Sequence, residues 1–139
     1  MVKIVKDFPP NIAKITRVFP RLPETVCFTY GDTIYFPNGE TLSDDLVEHE
    51  SVHIDQQKEL GAERWWDKYL DDKEFRLAQE VEAYAKQYIC VKKTRKEKIA
   101  KRYLEMFAHH LSTIYGLDIT ESQAYTIIRK RCLLINTVV

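Results

Sequence analysis

Apolar residues recur at helical spacing from Asp44 almost to the end of the chain, and this pattern restricts the fold more than any other feature. The pattern is broken at Gly61 and Gly116, and glycine commonly ends helices. Ser43, which is followed by two aspartates, has the character of a helix N-cap. We therefore expect consecutive helices over residues 44–60, 62–70, 72–91, 96–115 and 121–134.

The N-terminal part of the chain carries different signals. Residues 12–19 have helical spacing and precede Pro20, which does not continue a helix. Two β-rich runs, Thr25–Tyr30 and Thr33–Phe36, are joined by Gly31-Asp32, a pair that favours a hairpin turn. One short helix, a small hairpin and then helices alone predict a mainly helical α+β domain.

Length and composition indicate one folded domain over residues 1–139. A hydrophobic content of 45% with 30% charged residues argues against disorder. No apolar run approaches the roughly 18 residues of a membrane span, and the N-terminus lacks the features of a signal peptide. The three cysteines, Cys27, Cys90 and Cys132, are odd in number and widely spaced, which favours reduced thiols and a cytoplasmic location.

Charge is distributed unevenly although the net charge is zero. Residues 40–82 contain 14 acidic and 5 basic residues, whereas residues 83–139 contain 4 acidic and 11 basic ones. We expect the two parts to complement each other within one fold. Residues 92–102 are rich in lysine and arginine, but the chain as a whole is not basic. We interpret this stretch as a solvated helix face and do not expect nucleic acid as a partner.

The acidic part contains the stretch VEHESVHIDQQ, in which two histidines are four positions apart. Successive helix residues turn by about 100°, so His49 and His53 are offset by only about 40° and one turn. Asp45 and Gln56 share this face, and Glu50 lies beside it, angled away from direct ligation. Two neutral nitrogen ligands and a neighbouring carboxylate that accepts a proton from activated water are typical of a zinc hydrolase.

Two histidines do not complete a metal site, and HExxH also arises by chance on exposed helix faces. A third ligand from elsewhere in the chain would distinguish these interpretations. The stretch LAQEVEAYAKQY offers two glutamates, Glu80 and Glu82. These glutamates are about 200° apart on a helix, so only one of them can face the ion.

With these residues the chain resembles the gluzincin metallopeptidases, which combine HExxH with a glutamate on a downstream helix. The third ligand of that family opens a Glu-x-x-Ala motif, and the stretch EVEA, which begins at Glu80, matches it. The resemblance implies that zinc is held by His49, His53 and Glu80, while Glu82 faces solvent. It also implies that Glu50 is the general base.

Tyr84 stands where the family has an acidic residue that commonly orients a histidine of the catalytic helix. In this chain the orienting group would be Tyr84, Asp55 or a backbone carbonyl. The resemblance also makes Tyr84 a candidate catalytic residue that donates to the reacting oxygen. His109 and His110 are further candidates to reach the cleft, and we expect one of them to be half-buried and the other exposed.

The chain is similar to compact zincin-like proteins of bacteria and their phages, which keep the core helices and one or two strands. This similarity implies a single minimal zincin-like metallopeptidase domain whose small sheet packs against the active-site helix. In gluzincins the strand before that helix forms the rim of the cleft and pairs with an extended substrate. Thr33–Phe36 is therefore the expected edge strand. Helical spacing points one of the adjacent Trp65 and Trp66 outward, where the pair could mark a substrate wall or a partner contact, but we expect core packing.

The sequence leaves two functions open. The first is a zinc-dependent metallopeptidase that hydrolyses peptide bonds in a peptide or protein substrate, with Glu50 as general base and then general acid. The second is a catalytically inactive zincin-fold protein that retains metal in a binding or structural role, for example in a phage assembly. The shortness of the chain favours the second function, whereas a cleft wide enough for an extended peptide over His49 and His53 would favour the first.

Overall fold

The computed structural model describes residues 2–39 and 41–138, with side chains up to residue 136. Three short strands and six helices follow one another along this part of the chain. They are β1 (Lys3–Val5), α1 (Ile12–Val18), β2 (Phe28–Tyr30), β3 (Thr33–Tyr35), α2 (Asp44–Leu60), α3 (Ala62–Asp71), α4 (Lys73–Thr94), α5 (Glu97–Thr113) and α6 (Glu121–Val138). The predicted mainly helical α+β class is confirmed.

The three strands form one sheet in the order β1–β3–β2. β2 and β3 are the two arms of the predicted hairpin, with Thr29 opposite Ile34. Gly31 in the turn has a φ of 65°, a conformation that glycine adopts without steric cost. β1 has no counterpart among the predicted elements. It pairs in parallel with β3 and places Ile4 opposite Ile34.

The prediction that Thr33–Phe36 is an edge strand is wrong. β3 is the central strand, because β1 pairs with one side of it and β2 with the other. Just beyond β3, the backbone N–H of Phe36 donates to the carbonyl of Val5 at 2.8 Å and extends the parallel pairing. The strand of the hairpin that lies closer to α2 is β2.

The adjacent tryptophans of α3 are both buried, which confirms the expected core packing, and neither points outward as helical spacing alone suggested. Trp65 is 2% exposed and donates to Gln79 Oε1, and Trp66 is 7% exposed and donates to the Thr29 carbonyl at 2.8 Å. Both are covered because α3 packs against α2 and α4 while Trp66 also reaches the sheet. Gln57 Nε2 donates to the same carbonyl of Thr29 at 2.8 Å.

Two hydrophobic clusters hold the helices in place. The larger cluster lies between α4, α5 and α6 and includes Val91, Leu104, Phe107, Leu111 and Ile128. The smaller cluster joins α1, β2 and α3 and consists of Ile15, Phe28, Trp65, Trp66 and Tyr69, with partly buried neighbours around them. The most extensive contact between two helices is that of α2 with α4, and it places the HExxH stretch against the EVEA stretch.

The helix boundaries follow the expected local signals. Gly61, with a φ of 83°, separates α2 from α3. The side chain of Asp72 accepts from two backbone N–H groups in the first turn of α4. Thr120 and Gln123 cap α6 reciprocally, each side chain accepting from the backbone N–H of the other residue. Among the described helices, none combines the length and the hydrophobicity that a bilayer span requires.

Candidate metal centre

Three side chains from two helices meet between α2 and α4. His49 and His53 lie on α2 and Glu80 on α4, and each residue is at most 4% exposed. His49 Nε2 is 3.2 Å from Glu80 Oε1, and His53 Nε2 is 3.3 Å from Glu80 Oε2. Each residue offers one ligand atom such that the three atoms lie within 4.8 Å of one another. Ligands of a tetrahedral zinc ion are roughly 3.4 Å apart, so this spacing suits a single ion.

The chemistry of this cluster also fits a cation. Two imidazole nitrogens and a carboxylate oxygen are ligand types that zinc prefers. A second carboxylate lies beside them: Glu50 is 5% exposed, and its Oε2 is 3.6 Å from His49 Nε2. No lysine or arginine is found among the described residues that line the adjacent cavity. Buried carboxylates are stabilised by a nearby positive charge, which a divalent ion supplies.

The orientation of His49 is set by a chain of two hydrogen bonds. Its Nδ1 is 2.9 Å from Gln87 Oε1, and Gln87 Nε2 donates to Asp45 Oδ2 at 2.8 Å. Asp45 precedes His49 by one turn of α2, and Gln87 lies on α4. The chain therefore links the same two helices that supply the cluster.

His53 has an equivalent chain that extends further. Its Nδ1 is 2.8 Å from Gln56 Oε1, and Gln56 Nε2 donates to the Gln79 carbonyl and to Glu82 Oε1, at 3.1 Å each. Glu82 Oε2 accepts from Arg131 Nη2 of α6 at 2.8 Å. The C-terminal helix is thereby connected to His53 through two side chains.

These partners determine the tautomer of both imidazoles. A carboxylate or a backbone carbonyl only accepts, so the amide nitrogen of each glutamine faces it and the amide oxygen faces the histidine. An amide oxygen also only accepts, so Nδ1 of His49 and of His53 carries a hydrogen. In its neutral form each ring then has its lone pair on Nε2, the atom that faces Glu80.

Two expectations about the surroundings of the cluster are corrected. The groups that orient the histidines are Gln56 and Gln87, and not Tyr84, Asp55 or a backbone carbonyl. Asp55 is exposed and forms an ion pair with Lys58 at 3.1 Å. Glu82 is part-buried and paired with Arg131, and so does not face solvent freely. Glu80, rather than Glu82, is the glutamate next to the histidines.

Burial and mutual charge shift the pKa values in the cluster. Burial alone would lower the pKa of His53, but the charge and hydrogen bond of Glu80 raise it to about 9. Burial would raise the pKa of Glu80, but the charge on His53 and hydrogen bonds from both histidines hold it well below its usual range. For Glu50 burial dominates and raises the pKa, although the histidines act in the opposite direction. Thr29 also donates to Glu50 Oε1, at 3.3 Å.

A cavity of about 440 Å³ opens onto the cluster and is lined by Glu50 as well as by the three candidate ligands. Its walls are mainly apolar and include Ile15, Phe19, Val26, Leu46, Met106 and Ile114. His110 is half-buried and lines the cavity, whereas His109 is exposed and pairs with Glu121 at 2.8 Å. The expected division between the two histidines is therefore confirmed.

The ring of Tyr84 packs against His49, and its hydroxyl pairs with that of Tyr115 at the wall of the cavity. Its ring centroid is 4.5 Å from that of His49, in an edge-on arrangement. The hydroxyls of Tyr84 and Tyr115 are 2.8 Å apart, and both residues line the cavity. Burial, with the charge of Glu80, raises the pKa of both hydroxyls, so both stay protonated. Only one of the two hydrogens is used between them, and the other can be donated to a further acceptor.

Comparisons with protein-family models, with curated proteins and with solved structures gave no match to this chain.

Three residues of the site have no counterpart in the sequence interpretation. Tyr69, on α3, donates to Glu80 Oε2 at 2.6 Å. Gln87 and Tyr115 line the cavity. Helical spacing contains a signal for Gln87, because it follows Glu80 by two turns on the same face. Tyr69 and Tyr115 come from other elements, and no local pattern points to them.

Proposed function

We propose that this protein is a zinc-dependent metallopeptidase of minimal gluzincin type, with Glu50 as the general base. The position of Glu50 carries the proposal: its carboxylate is buried, lies 3.6 Å from His49 Nε2 and lines the same cavity as the candidate ligands. The three candidate ligands can hold an ion without Glu50, and burying a further carboxylate is costly. A hydrolase needs such a group to move protons.

The roles of the side chains follow from their positions. The two histidines and Glu80 would hold the ion, and a bound zinc ion supplies Lewis acidity and lowers the pKa of its water to roughly 7. Glu50 accepts the proton of the attacking water and delivers it to the leaving amine. Burial raises the pKa of Glu50, which makes its carboxylate a stronger base. Tyr84, paired with Tyr115, offers a hydroxyl hydrogen to the substrate carbonyl oxygen.

The second candidate function is a catalytically inactive metal-binding or structural protein. One observation favours it: the Thr29 carbonyl of β2 already accepts from Gln57 and Trp66. An extended substrate that pairs with β2 would find this acceptor occupied. A peptide substrate would therefore have to bind by placing one or two of its side chains in the apolar cavity, and not by pairing continuously with β2.

The experiment compares wild type with Glu50→Gln on a diverse peptide pool, with zinc content measured in each preparation. Glu48→Gln is the matched control, because Glu48 lies on the same helix and is exposed. Cleavage by wild type and by Glu48→Gln, but not by Glu50→Gln at equal zinc content, supports the proposal. Equal cleavage by Glu50→Gln contradicts its role as base. Zinc in all three proteins without any cleavage favours the structural alternative.

A further inference from the structure

Both candidate ligand histidines contact a neutral amide, and in each case the amide is held at its other end. Gln87 is 5% exposed and connects His49 Nδ1 to the carboxylate of Asp45. Gln56 connects His53 Nδ1 to the Gln79 carbonyl and to Glu82. Each glutamine faces Nδ1 of its histidine, whereas Glu80 faces Nε2. Their common feature is that both ends of the amide have a partner.

This double anchoring makes the orientation of each amide hard to reverse. If the amide of Gln87 turned over, its oxygen would face the Asp45 carboxylate and two acceptors would meet without a hydrogen between them. The same reversal at Gln56 would place the amide oxygen against the Gln79 carbonyl and Glu82. The amide oxygens are therefore kept on the imidazole side, where they require a hydrogen on Nδ1.

We propose that Gln56 and Gln87 are positioning residues that keep both histidines as Nδ1–H tautomers and thereby direct both Nε2 atoms to the metal ion. This inference rests on the proposed metal site. Because the partners are amides and not carboxylates, they fix the rings without adding negative charge beside Glu50 and Glu80. The chain through Gln56 also makes α6 part of the support, since Arg131 holds Glu82 in place.

The first test measures zinc affinity by competition with a chromophoric chelator. Gln56→Met and Gln87→Met keep the length of the side chain but remove the amide. Loss of a partner that orients a ligand typically costs about 10–100-fold in metal affinity, and we expect a loss in that range for each variant. Gln57→Met is the matched control: Gln57 is buried and bonds Thr29 and Gly31 but no histidine. It should lower the thermal stability of the protein while zinc affinity stays unchanged.

The second test reads the tautomer in the zinc-loaded wild type from two-bond ¹H–¹⁵N correlations of the imidazoles. Both histidines should carry their hydrogen on Nδ1. A hydrogen on Nε2 of either ring overturns the proposal, and this result does not depend on whether any variant folds. Unchanged zinc affinity in both glutamine variants overturns it as well, while the proposed peptidase function stands. A wild type that binds no zinc overturns the proposed function itself.

Discussion

The hydroxyl of Tyr69 donates a hydrogen bond of 2.6 Å to Oε2 of Glu80, the same oxygen that lies 3.3 Å from His53 Nε2. Burial, together with the charge of Glu80, raises the pKa of Tyr69 well above its usual value, so the hydroxyl keeps its hydrogen. The ring stacks on Trp65 with centroids 4.8 Å apart. A donor on a rigid aromatic platform thus fixes one carboxylate oxygen of the candidate ligand.

Tyr69→Phe should weaken zinc binding by about tenfold or more, because the carboxylate loses the donor that orients it. The ring and its stacking on Trp65 are preserved, so the fold should be retained. Zinc affinity by chelator competition checks the first point, and far-ultraviolet circular dichroism checks the second. Tyr125→Phe is the control, since Tyr125 is half-buried on α6 and does not line the cavity. Equal affinity in Tyr69→Phe and wild type would contradict the role assigned to this hydroxyl.

Glu80→Gln should reduce zinc affinity far more than Glu82→Gln. In Glu80→Gln a neutral amide replaces the charged carboxylate. The amide nitrogen, unlike the carboxylate oxygen that it replaces, cannot accept. In Glu82→Gln the amide oxygen can still accept from Gln56 Nε2, although the ion pair with Arg131 is lost. Isothermal titration of both variants with zinc makes the comparison. A larger loss in Glu82→Gln would mean that Glu80 is not the third ligand.

Zinc binding should release at least one proton per ion at about pH 7.5, because the metal-free protein holds a proton on His53. The pKa of that group is raised to about 9 in the folded protein, from 6.5, so the proton is present at this pH and must leave when Nε2 binds the ion. Zinc affinity should therefore rise by about tenfold per pH unit up to the folded pKa.

Calorimetric titrations in two buffers of different ionisation enthalpy measure this proton count.

The raised pKa of His53 also makes the stability of the metal-free protein depend on pH. A folded pKa above the unfolded value of 6.5 means that the stabilising contribution of His53 is complete below pH 6.5 and is lost as the pH rises through about 9. Thermal unfolding with a chelator present should show this loss in wild type but not in His53→Gln. No proton release would indicate that His53 is neutral before zinc binds.

Filling the cavity at its rim should block the proposed hydrolysis without removing metal. Met106 is 42% exposed and lines the cavity, so a tryptophan at this position adds bulk where a substrate side chain would enter. We expect Met106→Trp to keep its zinc and to lose most peptide cleavage. Ile99→Trp is the control, because Ile99 is exposed two turns earlier on the same face of α5 and does not line the cavity. Cleavage at the wild-type rate by Met106→Trp would show that substrate approaches from another side.

Helical periodicity was sufficient to predict the elements that carry the site. α2 begins and ends at the predicted residues, and its polar face contains Asp45, His49, His53 and Gln56 as expected. The spacing of the two glutamates within α4 correctly implied that only one of them meets the histidines. These are properties of single helices, and a period of about 3.6 residues is enough to derive them.

The features that the sequence did not predict depend on contacts between distant segments. β3 is central because β1 pairs with it from 30 residues earlier, and a three-residue strand such as Lys3–Val5 has too few residues for a periodic signal. Neither Trp65 nor Trp66 points outward, because the sheet and two helices surround α3. Tyr69 reaches Glu80 from that same helix, and only the assembled structure brings the two residues together.

A small sheet with open edges can pair with strands of other molecules and seed aggregation. In this protein the two donors on the Thr29 carbonyl, from Gln57 and Trp66, leave β2 without an acceptor for a foreign strand at that position. The opposite edge, β1, is only three residues long, and Lys3 and the following Lys6 are exposed there. Charge and short length both discourage edge-to-edge association. The contacts that occupy the Thr29 carbonyl thus also disfavour the pairing of β2 with a strand of another chain.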